Sequence, residues 1–271
     1  MNPKIPGTEV TIRAAFAALT PRPIRRAVRR LLPNCVRYQG CLLPPTGLRI
    51  DMCGFPYDDN SYFLKSAVAE ARRLVARLGC TRESQVVDIG SGVGRLAIGL
   101  MQEIGEVHYC GLEAHQPYVD WCRRYIERNH PSFRFLHVDV ENERYNPKGV
   151  TLTKDFRLPV PDGSADIVYL WGLFTNFAPA AMKIYVAEIS RIAKKGALVF
   201  VTAFVEEGVP PVSLNPVNYV NYPCVGPLHV VRYDRLFLLD VFAAHGLSVD
   251  EVVHHPAGAD HMQSEIYLKK R

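Results

Sequence analysis

The sequence predicts an α/β domain built on a doubly wound, mostly parallel sheet, and three observations carry that prediction. Gln85 to Leu100 runs from a short apolar strand through glycines at 90, 92 and 94 into a helix, a strand–turn–helix unit that presents backbone N–H groups to a ligand. An acid, Glu113, closes the next apolar run 19 residues past Gly94, where a carboxylate at the tip of a second parallel strand can take both hydroxyls of a ribose. Further on, short apolar runs alternate with segments of helical period, the pattern of crossover connections between parallel strands.

Taken in order, the chain begins with a basic arm. Residues 1–50 hold nine Lys/Arg and one Glu, a balance of +8, so the net charge of +5 leaves −3 for the rest. The remainder carries no basic surplus that would argue for nucleic acid. Thr8–Leu19 reads as a short helix stopped before Pro21. Pro23 sits at the start of a second helix over residues 22–32, with Ile24, Ala27, Val28, Leu31 and Leu32 on one face and five arginines around the other. Such a helix lies on an anionic membrane surface, covers an apolar groove, or simply solvates its arginines while packing on the domain or on a second subunit of a homodimer. The last reading is preferred, because Pro33 ends the segment after barely three turns.

Residues 33–60 show no sustained period and are read as a linker or cap, which makes 1–60 an arm and cap and 61–271 the ligand-binding domain. Ser61–Leu78 keeps helical spacing and ends at Gly79. Past the glycine turn come a strand at 107–112 ending in Glu113, a helix at 117–129, and a strand at 133–138 ending in Asp139-Val140-Glu141. A strand at 167–170, a helix at 179–193 and a strand at 198–204 follow. Residues 205–232, with five prolines and many apolar side chains, are too long for a plain connection and read as a lid. A helix at 233–245 and an antiparallel pair at 247–253 and 264–268 complete the chain. Seven scattered cysteines without a C-x-x-C pair indicate neither a disulfide framework nor a zinc site, which fits a cytoplasmic protein. No run approaches the roughly 18 apolar residues of a membrane span.

The chemistry of the turn depends on one position. A dinucleotide fingerprint needs a third glycine where this chain has Arg95, and Asp88 would set an anion beside phosphates, although it would suit a cationic amine. Val86-Val87-Asp88-Ile89-Gly90-Ser91-Gly92-Val93-Gly94-Arg95 resembles the first motif of class I S-adenosylmethionine-dependent methyltransferases. Asp120-Trp121-Cys122, Asn129-His130-Pro131, Tyr145-Asn146-Pro147-Lys148-Gly149, Leu158 to Asp166 and Gly172-Leu173-Phe174-Thr175-Asn176 are similar to a bacterial branch found with glycan, glycolipid or secondary-metabolite assembly.

The resemblance implies a seven-stranded Rossmann-like sheet of order 3-2-1-4-5-7-6, with strand 7 antiparallel, and S-adenosyl-L-methionine as cofactor. It implies a cofactor site of Asp88, Gly90, Ser91, Gly92 and Gly94 for the methionyl end, Glu113 for the ribose, and Asp139 and Val140 for the adenine. Tyr57 and Tyr62, just before and at the start of the 61–78 helix, are lid candidates. Where the family often has Phe-Thr-His, this chain has Asn176, which cannot act as a base.

The expected activity is O-methylation of a small molecule, glycoside or lipid-linked sugar, with N- or C-methylation of a secondary metabolite and a catalytically inactive cofactor-binding protein as alternatives. A nicotinamide-dependent oxidoreductase is disfavoured by Arg95 and Asp88. Proton removal falls to a histidine: His229 in the insert ranks first, ahead of His261 and its neighbours His254, His255 and Asp260, while Asn176 after the fourth strand is a further catalytic candidate, though not as the base. No metal site is expected, since that His/Asp cluster matches no standard ligand spacing. Contact with a membrane is expected, if anywhere, at the periphery through the basic helix.

Overall fold

Strand formation starts where the apolar alternation is strongest. Val87 and Ile89 of β3 (Gln85–Ile89) turn to one face of a sheet, and Val86 and Asp88 to the other, all four buried. The computed structural model describes residues 35–54, 56–142, 145–220, 230–255 and 263–271. The helices predicted at 8–19 and 22–32, and the candidates His229, Asp260 and His261, lie outside those residues.

The chain divides into two units, residues 1–60 and 61–271. In the first, β1 (Val36–Tyr38) and β2 (Cys41–Leu43) form a hairpin across Gln39 and Gly40, both at positive φ, the two-residue turn whose twist matches paired strands. Helix α1 (Thr46–Cys53) follows. Its Arg49 is fully buried and donates to Thr46 Oγ1 at 3.1 Å and Asn60 Oδ1 at 2.6 Å. The cap is therefore regular structure, too short in each piece to show a period.

In the second unit, helix α2 (Asn60–Leu78) leads to β3, α3 (Arg95–Glu103), β4 (His108–Glu113), α4 (Gln116–Cys122), β5 (Phe133–His137), β6 (Ala165–Leu170), α5 (Pro179–Ile192) and β7 (Ala193–Glu206). Then come β8 (Val212–Leu214), β9 (Val231–Asp234), α6 (Arg235–Ala244), β10 (Leu247–Val253) and β11 (Ser264–Lys270). The sheet order is β10-β11-β7-β6-β3-β4-β5, with β11 antiparallel to both neighbours. Counted from β3, this is the expected order 3-2-1-4-5-7-6.

One face of the sheet buries Val168, Val199, Val201 and Ile266 under α5 and α6 in the main core. On the other, α2 and α3 approach so closely that a Cβ at Gly99 would stand 2.0 Å from the Ala67 carbonyl oxygen. Three boundaries differ from expectation. The helix at 116 widens after Cys122 into a π-helical turn, Arg123–Glu127. Strand β7 runs to Glu206, and Tyr233 and Asp234, expected in a helix, extend β9, where Asp234 caps α6 by accepting from Phe237 N–H. The described ends of the expected lid are β8 and β9, paired with each other and, through β9, with the end of β7.

Candidate active site

The site grows from the break between β3 and α3. Gly90, Gly92 and Gly94 all have positive φ, a conformation a side chain resists, and Gly94 is the left-handed N-cap of α3. Gly90 N–H and Ser91 N–H both donate to the Leu112 carbonyl, at 2.8 and 3.0 Å, fastening the turn to the end of β4. At that end the Glu113 carboxylate accepts from Gly92 N–H and from His115 N–H, each at 2.8 Å. Burial pushes its carboxyl above the ordinary carboxylate range, and the two N–H groups work against that shift. The carboxylate thus shapes the turn and still has lone pairs for another donor.

The loop that carries Asp139 and Val140 is built next to it. Val138 N–H donates to the Glu113 carbonyl at 2.9 Å, tying the chain after β5 to the tip of β4. Asp139 is exposed and Val140 buried. Asn146 spans both, its amide donating to Asp139 Oδ1 at 2.9 Å and to the Val140 carbonyl at 3.1 Å. A Cβ at Gly149 would stand 2.4 Å from that carbonyl, so the loop closes only on glycine. His115 Nδ1 lies 2.8 Å from the Tyr145 carbonyl oxygen across the same loop.

On the other side of the turn, Leu173 lies over Gly90, where a Cβ would come within 2.9 Å of it. Leu173 leads into the 3-10 turn Phe174–Asn176, whose Asn176 amide donates to the Gly172 carbonyl at 3.2 Å and to Thr175 Oγ1 at 3.0 Å. Tyr233 on β9 donates through one hydroxyl to the carbonyls of Phe174 and Phe177, at 3.2 and 2.8 Å, and holds this turn against the ribbon. Farther along the edge, Glu206 accepts from the Tyr219 hydroxyl at 3.0 Å and lies 3.8 Å from His254 Nε2.

The structure therefore brings Gly90, Ser91, Gly92, Gly94 and Glu113 into one turn, with Asp139 and Val140 beside it and Asn176 across it. Asp88 is engaged elsewhere, on the α2 face, where it accepts from the Tyr109 hydroxyl; burial pushes its carboxyl up to about 7. Tyr57 belongs to the first unit, its N–H bonded to the Gly54 carbonyl at 3.2 Å, and Tyr62 is exposed on the first turn of α2. Sequence reasoning missed Asn146, Tyr233 and Tyr219; only the asparagine had a signal, its place in the Tyr145-Asn146-Pro147-Lys148-Gly149 stretch. Among the described residues no group of three or more His, Cys, Asp or Glu could hold a metal ion, and no helix is long and apolar enough to cross a membrane.

Residues 86–196 match the family described as a methyltransferase domain. The match covers less than half of the chain and marks that stretch as a methyltransferase domain. Solved structures share the fold of this methyltransferase at low identity. The 1,6-didemethyltoxoflavin-N1-methyltransferase of Burkholderia thailandensis, with 1,6-didemethyltoxoflavin and S-adenosylhomocysteine bound, is 17% identical over 87% of this chain and 94% of its own, with a TM-score of 0.52. YcgJ of Bacillus subtilis is 18% identical over 76% of this chain and 99% of its own, with a TM-score of 0.53. The [4+2]-cyclase SpnF is 16% identical over 76% of this chain and 81% of its own, also at 0.53.

The cofactor of the methyltransferase is S-adenosylmethionine, and the residues present fit it. Ser91 Oγ is buried with no hydrogen-bond partner among the described residues, an orphaned hydroxyl inside the turn that a polar ligand would satisfy. Glu113 and Asp139 supply acceptors at the tips of adjacent strands, matching a ribose diol and an adenine amine.

Proposed function

We propose that the methyltransferase transfers the methyl group to an oxygen of a small molecule, glycoside or lipid-linked sugar. The observation that carries this reading is the polar edge beyond Asn176, where Glu206 and His254 face each other at 3.8 Å and Tyr219 donates to the same carboxylate. A hydroxyl acceptor needs a proton taken from it, and an imidazole oriented by a carboxylate is suited to take it.

When bound, S-adenosylmethionine supplies a methyl group already activated on a sulfonium. The chain does the rest. The glycine turn, Ser91, Glu113, Asp139 and Val140 bind and orient the cofactor. Leu173 and the 3-10 turn wall off one side, Asn176 orients the acceptor, and a histidine accepts its proton. His254 joins His229 and His261 as a candidate for that step. Alignment in a shielded site supplies most of the rate, and the base adds roughly 10²–10⁴-fold.

A screen of sugars, glycolipid extracts and small-molecule hydroxyl compounds with methyl-labelled cofactor tests the proposal. Label recovered in an alkali-stable methyl ether is the expected result; label found only on nitrogen or carbon would overturn the assignment to oxygen. His229→Ala, His254→Ala and His261→Ala, compared with the acceptor so found, identify the base by loss of turnover at unchanged cofactor affinity.

A further inference from the structure

Behind the glycine turn, on the face covered by α2, lies a cluster of buried charges that cofactor binding by the turn does not use. Arg95 is the first residue of α3 and stands where a dinucleotide site would have its third glycine. It is almost fully buried. Its guanidinium lies 3.9 Å from Glu70 Oε1, donates to the Ser66 carbonyl at 3.4 Å, and sits 5.5 Å from the centre of the Trp171 ring. Glu70, also buried, accepts from the Tyr169 hydroxyl at 2.7 Å and pairs with Arg73. Arg73 reaches Glu265 at 2.7 Å and lies 5.1 Å from the same indole.

Stability alone gives little reason for this arrangement. A positive charge in the first turn of a helix opposes the helix dipole, and buried ion pairs seldom outperform apolar packing of the same volume. What the cluster does provide is a connection. Arg95 starts from the glycine turn, and Trp171 is the first residue past β6, two residues before Leu173 and five before Asn176. One guanidinium thus spans from the cofactor side of the site to the segment that faces the acceptor.

We infer that Arg95 couples the occupied cofactor turn to Trp171, and that Glu70 is the positioning residue that holds Arg95 in place for this. Binding at the turn then sets the indole, and with it the 171–176 segment, before an acceptor arrives. The inference deepens the cofactor site described above and rests on it.

The chain has two tryptophans, so Trp121→Phe leaves Trp171 as the sole indole reporter. This variant is titrated with S-adenosylhomocysteine while Trp171 emission is followed, with calorimetry in parallel. A saturable emission change is expected. Adding Arg95→Met should abolish that change while binding heat persists, with affinity weakened about 2- to 30-fold, the span typical of residues that modulate coupling. Arg95→Lys should restore part of the change, and Glu70→Gln, which keeps the side-chain volume, should diminish it. An emission change and affinity in Arg95→Met or Glu70→Gln equal to those of the parent would overturn the inference. So would an emission that ignores the ligand while calorimetry reports binding. Absence of any binding heat in the parent would instead overturn the cofactor site itself, and the two failures are distinguishable.

Discussion

Replacing Glu113 by glutamine separates the turn-shaping contacts of its carboxylate from the ribose contact proposed for it. Both of its oxygens accept from backbone N–H groups, Gly92 on one side and His115 on the other, each at 2.8 Å. A glutamine has a single acceptor oxygen, so whichever way its amide turns, an NH₂ group meets a backbone N–H. One donor of the turn is left unsatisfied, at about 1–3 kcal/mol, and the charge assistance is lost from the other bond. In a domain of this size each kcal/mol lowers the melting temperature by roughly 2–4 °C. The ligand-free variant should therefore melt several degrees below the parent. Its affinity for S-adenosylmethionine should fall by about 1.5–3 kcal/mol, or roughly 10- to 150-fold, because the ribose diol loses a charged acceptor. Thermal melts without ligand and calorimetry with it read the two effects independently. Glu113→Ala should lose both as well. Unchanged melting in Glu113→Gln would refute its role in shaping the turn, and unchanged affinity would remove it from the ribose.

Asp88 should make ligand-free stability depend on pH. Its carboxyl is raised from 3.8 to about 7, mainly by burial, so the folded chain holds a proton that the unfolded chain has released between those values. Stability from this group is thus full below about pH 4 and is lost as pH rises through 7, to an extent of at most about 4 kcal/mol. Asp88→Asn should flatten that slope in melts at pH 5 to 8, and a parallel slope in the variant would exclude Asp88 as its source. Tyr233→Phe strips the shared donor from the Phe174 and Phe177 carbonyls and should cost about 1–3 kcal/mol; faster hydrogen exchange around residues 174–178 is the readout, and parent-like protection there would count against the tether. Gly99→Ala places a methyl 2.0 Å from the Ala67 carbonyl oxygen and should destabilise by at least about 1–3 kcal/mol, as read by denaturant unfolding, whereas a stability gain would mean that α2 and α3 separate freely.

The sheet was legible because the central strands β3 and β6 are short runs buried on both faces with glycines close by, and because the crossover helices between strands leave few topologies open. The order around β3 followed from that pattern together with the family resemblance. The hairpin of the first unit was not legible. Its turn is Gln39-Gly40, and a glutamine at positive φ carries none of the signal that asparagine or aspartate gives there. Strand β9 was hidden for a different reason. Val231 to Asp234 is four residues long and runs directly into the apolar residues of α6, so a helical period over 233–245 absorbs its end.

The site was legible to the extent that its chemistry resides in residue type and spacing. Glycines at 90, 92 and 94 and the acid at 113 are visible as letters, and the fold sets the Gly92 N–H of that turn 2.8 Å from the Glu113 carboxylate. Asp88 shows the limit of such reading. Its position in the motif suggested a partner for a cationic amine, but strand periodicity sends its side chain to the α2 face, where Tyr109 occupies it and Arg95 stands nearby. Arg95, in turn, was noticed only as the absence of a glycine. Its importance depends on Glu70, 25 residues earlier, and Trp171, 76 residues later, and contacts between residues that far apart leave no local pattern. The glycine turn is thus specified twice over: once by its own sequence, which bends the backbone, and once by distant charges, which fix what stands behind it.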